Sequence, residues 1–167
     1  MEVRFVRDLS AVFPVVDVYG QNLGETVYLR LGDPKYQHYF DVPFLIYNEK
    51  ILPSLFYGKP VVLVEGVFDA LSLIQEGIPV LAIYSNTIKN GQLEKIYRYT
   101  DNLIIWPDSD QAGEDGLERS ISKATKQGFK IRVFRTNLAK DANDLLQKDK
   151  TLFKETISKL REILNVR

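Results

Sequence analysis

Between residues 61 and 134 four short strand-forming runs alternate with helix-forming stretches, and this alternation constrains the fold more than any other feature. The runs are Val61–Val64, Val80–Tyr84, Leu103–Trp106 and Lys130–Phe134, and the first three contain no charged residue. A run that is apolar throughout suits a strand covered on both faces, as in a parallel sheet whose crossovers are helices. Helical patterns fill the gaps at Val67–Gln75, Gln92–Tyr99 and Ala112–Gln127, with Gly77, Pro79 and Gly128 as stops. The expected fold is α/β: a mainly parallel sheet of about four strands with helices on both faces. In such sheets functional groups gather just beyond the carboxyl ends of the strands.

The flanking sequence is less regular. Val12–Val18 and Thr26–Leu31 read as strands around a turn at Gly20–Gly24, and together they predict a small β-containing lobe. The aromatic and proline-rich stretch up to Asn48 fits no simple period, and Glu49–Phe56 reads as a short helix. Asp144–Gln147 and Leu152–Leu164 read as further helices, the last with Leu152, Thr156, Ile157, Leu160 and Leu164 on one stripe. The expected division is a lobe at 1–58, a catalytic domain at 59–150 and an amphipathic helix at 151–167. A chain of 167 residues suits one domain with a small appendage.

Composition narrows the chemistry. There is no cysteine and a single histidine, His38, which excludes thiolate catalysis, iron–sulfur clusters and His- or Cys-based zinc sites. Any metal must be held by oxygen, which favours magnesium or manganese. Met1–Ser10 has no signal-peptide pattern and no apolar run approaches a membrane span, so the chain reads as soluble and cytoplasmic, with no membrane partner. The net charge of zero is unevenly spread. Residues 1–60 hold six basic and seven acidic residues, residues 61–116 three and nine, and residues 117–167 thirteen and six. An acidic middle is followed by a basic last third, read either as solvated helix faces or as a phosphate-attracting surface beside carboxylates.

Three acidic motifs follow predicted strands. Glu65-Gly66-Val67-Phe68-Asp69 places two carboxylates about one helical turn apart, with Gly66 for a sharp turn. Asp108-Ser109-Asp110-Gln111-Ala112-Gly113 projects two carboxylates the same way from an extended segment. Lys140-Asp141-Ala142-Asn143-Asp144 follows the fourth strand. Each alone also suits a helix N-terminus, where Asp, Ser and Asn cap free N–H groups. Together, at three carboxyl ends, they predict a site for one or more divalent ions acting with phosphates. His38 reads as a surface or packing residue and Trp106 as core. Tyr36, Tyr39, Phe40 and Phe44 read as a small core, with base stacking as the alternative.

These motifs resemble the Toprim domain shared by bacterial-type primases, topoisomerases, recombination mediators and small nucleases. That family carries a glutamate at one strand end and Asp-x-Asp at a later one, here Glu65 and Asp108/Asp110. The primase branch is most similar, with Lys140-Asp141-Ala142-Asn143-Asp144 resembling its Lys-Asp-x-Asn/Asp motif. Phe13-Pro14-Val15-Val16-Asp17, Lys35-Tyr36 and Phe44–Asn48 resemble the subdomain that precedes Toprim in primases. Three features depart from that pattern: the stretch before Toprim is not basic, Asn143 replaces a second aspartate, and Tyr84-Ser85-Asn86-Thr87 replaces glycines.

The resemblance implies a primase-like nucleotidyltransferase, without zinc ribbon or helicase domain, that makes primers from nucleoside triphosphates on single-stranded DNA. It implies Glu65, Asp108 and Asp110 as catalytic, and these with Asp69 and Asp141 as ligands of Mg2+ or Mn2+. Lys140, Asn143, Arg132 and Arg135 are expected to contact nucleotide or phosphate. A replicative helicase or a separate zinc-ribbon protein is the implied partner, in the cytoplasm, at the nucleoid, or in the host cytoplasm if the chain is viral. The alternatives are a Toprim nuclease acting through the same carboxylates and a non-catalytic nucleic-acid-binding module of the replisome.

Overall fold

The computed structural model describes residues 4–5, 10–40, 43–55 and 58–165, so most of Met1–Ser10 and the end of the expected helix at Phe56 lie outside the described residues. An antiparallel sheet comes first, with β1 (Arg4–Phe5), β2 (Ser10–Val16), β3 (Asn22–Leu29) and β4 (Tyr36–Tyr39) paired in chain order. A 3₁₀ helix, Glu49–Leu55, leads to a second, wholly parallel sheet. Its strands are β5 (Val61–Val64), β6 (Val80–Ala82), β7 (Asn102–Ile105) and β8 (Lys130–Val133), in the order β6-β5-β7-β8. The crossovers are α1 (Val67–Ile74), α2 (Asn90–Tyr97) and α3 (Gln111–Lys126), and α4 (Ala142–Lys148) and α5 (Lys150–Asn165) follow.

Period-two alternation along the apolar strands divides their side chains between two cores. Val62, Val64, Val80, Ala82 and Ile104 pack with α1, α4 and α5 through Ala70, Leu73, Leu145, Phe153 and Ile157. Val61, Leu63, Leu81, Leu103 and Ile105 pack with α2 and α3 through Leu93, Ile96, Leu117 and Ala124. The parallel sheet with helices on both faces is therefore as the sequence predicts. Phe153 rather than Leu152 fills the buried end of the α5 stripe.

The differences have local causes. The second parallel strand stops at Ala82 rather than Tyr84, because Tyr84 turns into a left-handed conformation at φ 58°. The expected short helix after Asn48 is present and is of the 3₁₀ type, with Pro53 inside it and therefore one N–H fewer. β4 has no apolar alternation to announce it; its side chains alternate between aromatic, amide and imidazole groups.

The two sheets share buried contacts. Ala11, Phe13 and Tyr47 are buried with Val62 and Ile104 in one cluster. The Phe68 ring at the start of α1 meets Phe13 edge-on at 5.2 Å and Tyr28 at 4.9 Å. Tyr47 and Ala82 exchange backbone hydrogen bonds of 2.8 and 3.3 Å. The small sheet is thus fixed beside the N-terminal end of α1, where the parallel strands end.

α3 lies against the segment that follows β6. Asn86 donates through Nδ2 to the Ala112 carbonyl at 3.0 Å, and a Cβ on Gly116 would stand 2.1 Å from the Asn86 carbonyl oxygen. Helix propensity alone would favour Gly116→Ala by about 1 kcal/mol. Backbone is the obstacle, so overpacking dominates and the variant is expected to lose about 1–3 kcal/mol. Denaturant unfolding measures this; a more stable variant would show that α3 can move off the segment at no cost.

Candidate metal and nucleotide site

Strand order puts β5 between β6 and β7, so the chain leaves the carboxyl end of β5 towards one face and that of β7 towards the other. The crevice between these exits is where open α/β sheets place ligands. Glu65 and Gly66 follow β5, and Pro107 and Asp108 follow Trp106 just past β7. A cleft of about 340 Å³ opens there, lined by Glu65, Asp69, Asp108, Lys140 and Asp141 together with Tyr36, His38 and Tyr84.

Asp69, Asp108 and Asp141 each offer a carboxylate oxygen within 4.8 Å of the other two. Asp69 is buried in the first turn of α1, and its carboxylate folds back over Gly66, where a Cβ would stand 2.7 Å from Oδ2. Its Oδ1 accepts the backbone N–H of Asn143 at 3.0 Å. Asp141 is the N-cap of α4 and accepts the Asp144 N–H at 2.7 Å. An all-oxygen donor set of this kind, mutually repelling and partly desolvated, fits a hard divalent cation.

Charge is distributed unequally among the acids. Burial pushes the Asp69 carboxyl up to about 8, helped by the neighbouring Asp141 and opposed by the Asn143 N–H. Burial also raises Glu65 to about 7, with Asp108 adding repulsion and the Asp108 backbone N–H opposing it. Asp108 itself is raised by burial and by Asp141, against the pull of Lys140. Asp110 behaves differently. It caps α3 by accepting the Gly113 N–H at 2.9 Å, and that bond with Lys140 holds its carboxyl below the usual range. The Lys140 ammonium bridges the two, 3.4 Å from Asp108 Oδ2 and 3.1 Å from Asp110 Oδ2.

The expected residues therefore fall into three groups. Asp69, Asp108, Asp141, Glu65 and Lys140 converge on the cleft, whereas Asp110 caps α3 and is joined to them through Lys140. Asn143 contributes its backbone N–H, while its side-chain oxygen lies 3.3 Å from Ser72 Oγ. Arg132 and Arg135 are engaged elsewhere. Arg132 donates to the Ile163 carbonyl and lines a separate cleft with Pro60, Pro79 and Asn102, at the amino ends of the strands. Arg135 forms a two-pronged pair with Glu114, of which the Nη2–Oε2 contact is 2.8 Å.

Tyr36, read from sequence as part of a small core with base stacking as the alternative, and His38, read as a surface or packing residue, both line the cleft. Their signal was the i, i+2 spacing on β4, which a segment without apolar alternation conceals. Burial and the nearby Tyr28, Asp69 and Asp141 push the Tyr36 phenol up to about 12, in keeping with its place beside the carboxylates. Trp106 is core, its ring 4.7 Å from Phe134.

Comparison with known proteins agrees with this geometry. A DNA primase of Clostridium acetobutylicum is 26% identical over 164 residues, covering 93% of this chain and 28% of the primase. The chain thus spans under a third of the length of that relative. The Aquifex aeolicus primase structure, comprising zinc-binding and RNA polymerase domains, superposes with a TM-score of 0.78 at 21% identity, over 98% of this chain and 43% of that one. A DnaG primase catalytic domain bound to single-stranded DNA superposes at 0.72 with 22% identity, over 90% and 52%. These two structures share the fold. The sequence profile of the Toprim-like family matches residues 62–146, the stretch from β5 into α4 that carries every carboxylate of the cleft, and the chain belongs to that family.

Proposed function

We propose that this chain is the catalytic core of a primase-like nucleotidyltransferase, which joins nucleoside triphosphates on a single-stranded DNA template with Mg2+ or Mn2+ in the cleft. The observation that carries the proposal is the convergence of Asp69, Asp108 and Asp141 within 4.8 Å at the strand ends. The primase names of the relatives and the DNA-bound state of one structural neighbour support it. Residues 59–150 form the catalytic unit and 1–58 the lobe that bounds the cleft. A helicase or zinc-ribbon protein is the partner such a core would serve, wherever its DNA template is found.

Asp69, Asp108 and Asp141 hold the ion. When bound, it neutralises charge that builds on the phosphoryl oxygens. Glu65, whose carboxyl lies at about 7, suits the removal of a proton from the attacking 3′-hydroxyl near neutral pH. Lys140, already between Asp108 and Asp110, can turn its ammonium to a phosphate while staying anchored by its backbone. That anchor consists of its N–H bonded to Asp144 Oδ2 at 3.0 Å and its carbonyl accepting the Ser109 N–H at 2.8 Å. Asp110 keeps α3 capped and Lys140 in reach.

Incubation with labelled nucleoside triphosphates, single-stranded DNA and Mn2+ is expected to yield oligonucleotides. Asp108→Asn is expected to lower the rate by about 10²–10³-fold, in the range for removal of one group that stabilises transition-state charge. Loss of the DNA template without synthesis would identify a nuclease instead.

The raised carboxyl groups also predict two pH effects. Asp69 rises from 3.8 to about 8 and Glu65 from 4.5 to about 7, so the metal-free fold binds more protons than the unfolded chain. Their contribution to stability is complete below about pH 4 and is lost as pH rises towards 8. Melting temperature in chelator should fall over that window, and Mn2+ should restore it at the alkaline end. For the same reason Mn2+ affinity, followed by calorimetry, should strengthen from pH 6 to pH 8 with release of protons. A pH-independent affinity would mean that the carboxylates are already ionised without the ion.

A further inference from the structure

Ring side chains line the cleft beside the carboxylates, Tyr36, His38 and Tyr84, and nothing in the chemistry above uses this aromatic wall. Among the described residues β4 is an outer strand of the small sheet, paired with β3, and its alternation sends Tyr36 and His38 to the cleft side. The His38 ring has three partners, one of them the Phe40 ring at 5.4 Å and 34°. Its Nδ1 lies 3.1 Å from Oγ1 of the fully buried Thr26, and the Tyr84 ring meets it at 5.3 Å and 71°. Tyr84 reaches that place only through its left-handed φ of 58°, two residues beyond β6. A bulky side chain rarely adopts this conformation, and such local strain persists where surrounding structure holds it for a purpose.

We propose that His38 and Tyr84 form a seat for the nucleobase of a nucleoside triphosphate whose phosphates lie on the Lys140 and carboxylate side of the same cleft. This deepens the nucleotidyltransferase reading and rests on it. The cleft volume of about 340 Å³ falls within the usual range for small-molecule sites, about 300–1,000 Å³. Rings offered to a base attract it through its π-face, which every base possesses, so the seat holds any of them. That tolerance suits an enzyme whose template selects the base. The Thr26 bond and the Tyr84 edge fix the imidazole before ligand arrives, which limits the ordering cost of binding. Burial lowers the pKa of His38, so the ring is uncharged at neutral pH and its attraction is not for phosphate.

The test compares adenosine triphosphate with inorganic tripolyphosphate on the Mn2+-loaded chain by calorimetry, for wild type, His38→Ala and His38→Phe. His38 stands on an outer strand, so its truncation leaves the cores intact. His38→Ala is expected to weaken adenosine triphosphate about five- to tenfold, at the lower end of what one stacked base contributes, and to leave tripolyphosphate unchanged. His38→Phe is expected to restore most of the loss. Equal weakening of both ligands, or of neither, overturns the seat. Wild type that binds tripolyphosphate and not the nucleotide overturns the seat alone, whereas wild type that binds neither overturns the nucleotide reading and the seat with it.

Discussion

A sheet buried on both faces can carry charge only at its ends, and the rest of this molecule follows from that constraint. Val62, Val80 and Ile104 on one face, and Val61, Leu81 and Leu103 on the other, are all but inaccessible to water. A carboxylate placed among them would lose its hydration with nothing in return. The loops beyond the strands are therefore the only places near the sheet where acidic groups can gather. The strand order β6-β5-β7-β8 then decides which loops diverge, and the crevice opens between the exits of β5 and β7.

Acids gathered in this way repel, and the fold answers with backbone N–H groups and one ammonium. Asp110 takes the Gly113 N–H and a share of Lys140, and its proton is held less tightly than usual. Asp69 receives one N–H but is buried beside Asp141, and its proton is held more tightly. Chemically identical side chains are thereby sorted into a satisfied helix cap and an unsatisfied cluster. Only a second positive charge completes the cluster, because Lys140 reaches Asp108 at 3.4 Å and no contact ties its ammonium to Asp69.

The parallel sheet was legible in the sequence because a strand buried on both faces leaves an unbroken apolar run. The carboxylates were legible because a strand end followed by a glycine or a cap residue is a local pattern. Which of them share a site was not legible in full. Asp110 looked equivalent to Asp108, and the difference lies in Gly113 and Lys140, which meet it only through the cap and a loop from beyond β8. Arg132 looked near the site by its position on the last strand. Its long side chain instead runs to the carbonyl of Ile163 on α5, a contact between segments 31 residues apart that no local pattern encodes. β4 escaped notice because Tyr36 and His38 line the cleft, Tyr36 while also packing on Tyr28 and Phe68, and a Tyr-Gln-His-Tyr run carries no hydrophobic alternation to be read.

The first turn of α1 ties these parts together. Phe68 points to the small sheet, against Phe13 and Tyr28, while its neighbour Asp69 points to the N-terminal end of α4 and accepts an N–H from 74 residues away. Adjacent side chains on a helix diverge by about 100°, so one turn can grip an aromatic core and present a carboxylate at once. The aromatic wall and the acidic cluster are therefore registered against each other through the backbone between residues 68 and 69. Repacking around Phe68 would move Asp69 relative to Asp108 and Asp141 without touching any of the three. The small sheet thus belongs to the geometry of the acidic cluster, because the half-buried ring of Phe68, packed on Phe13 and Tyr28, holds α1 at the angle from which Asp69 reaches its neighbours.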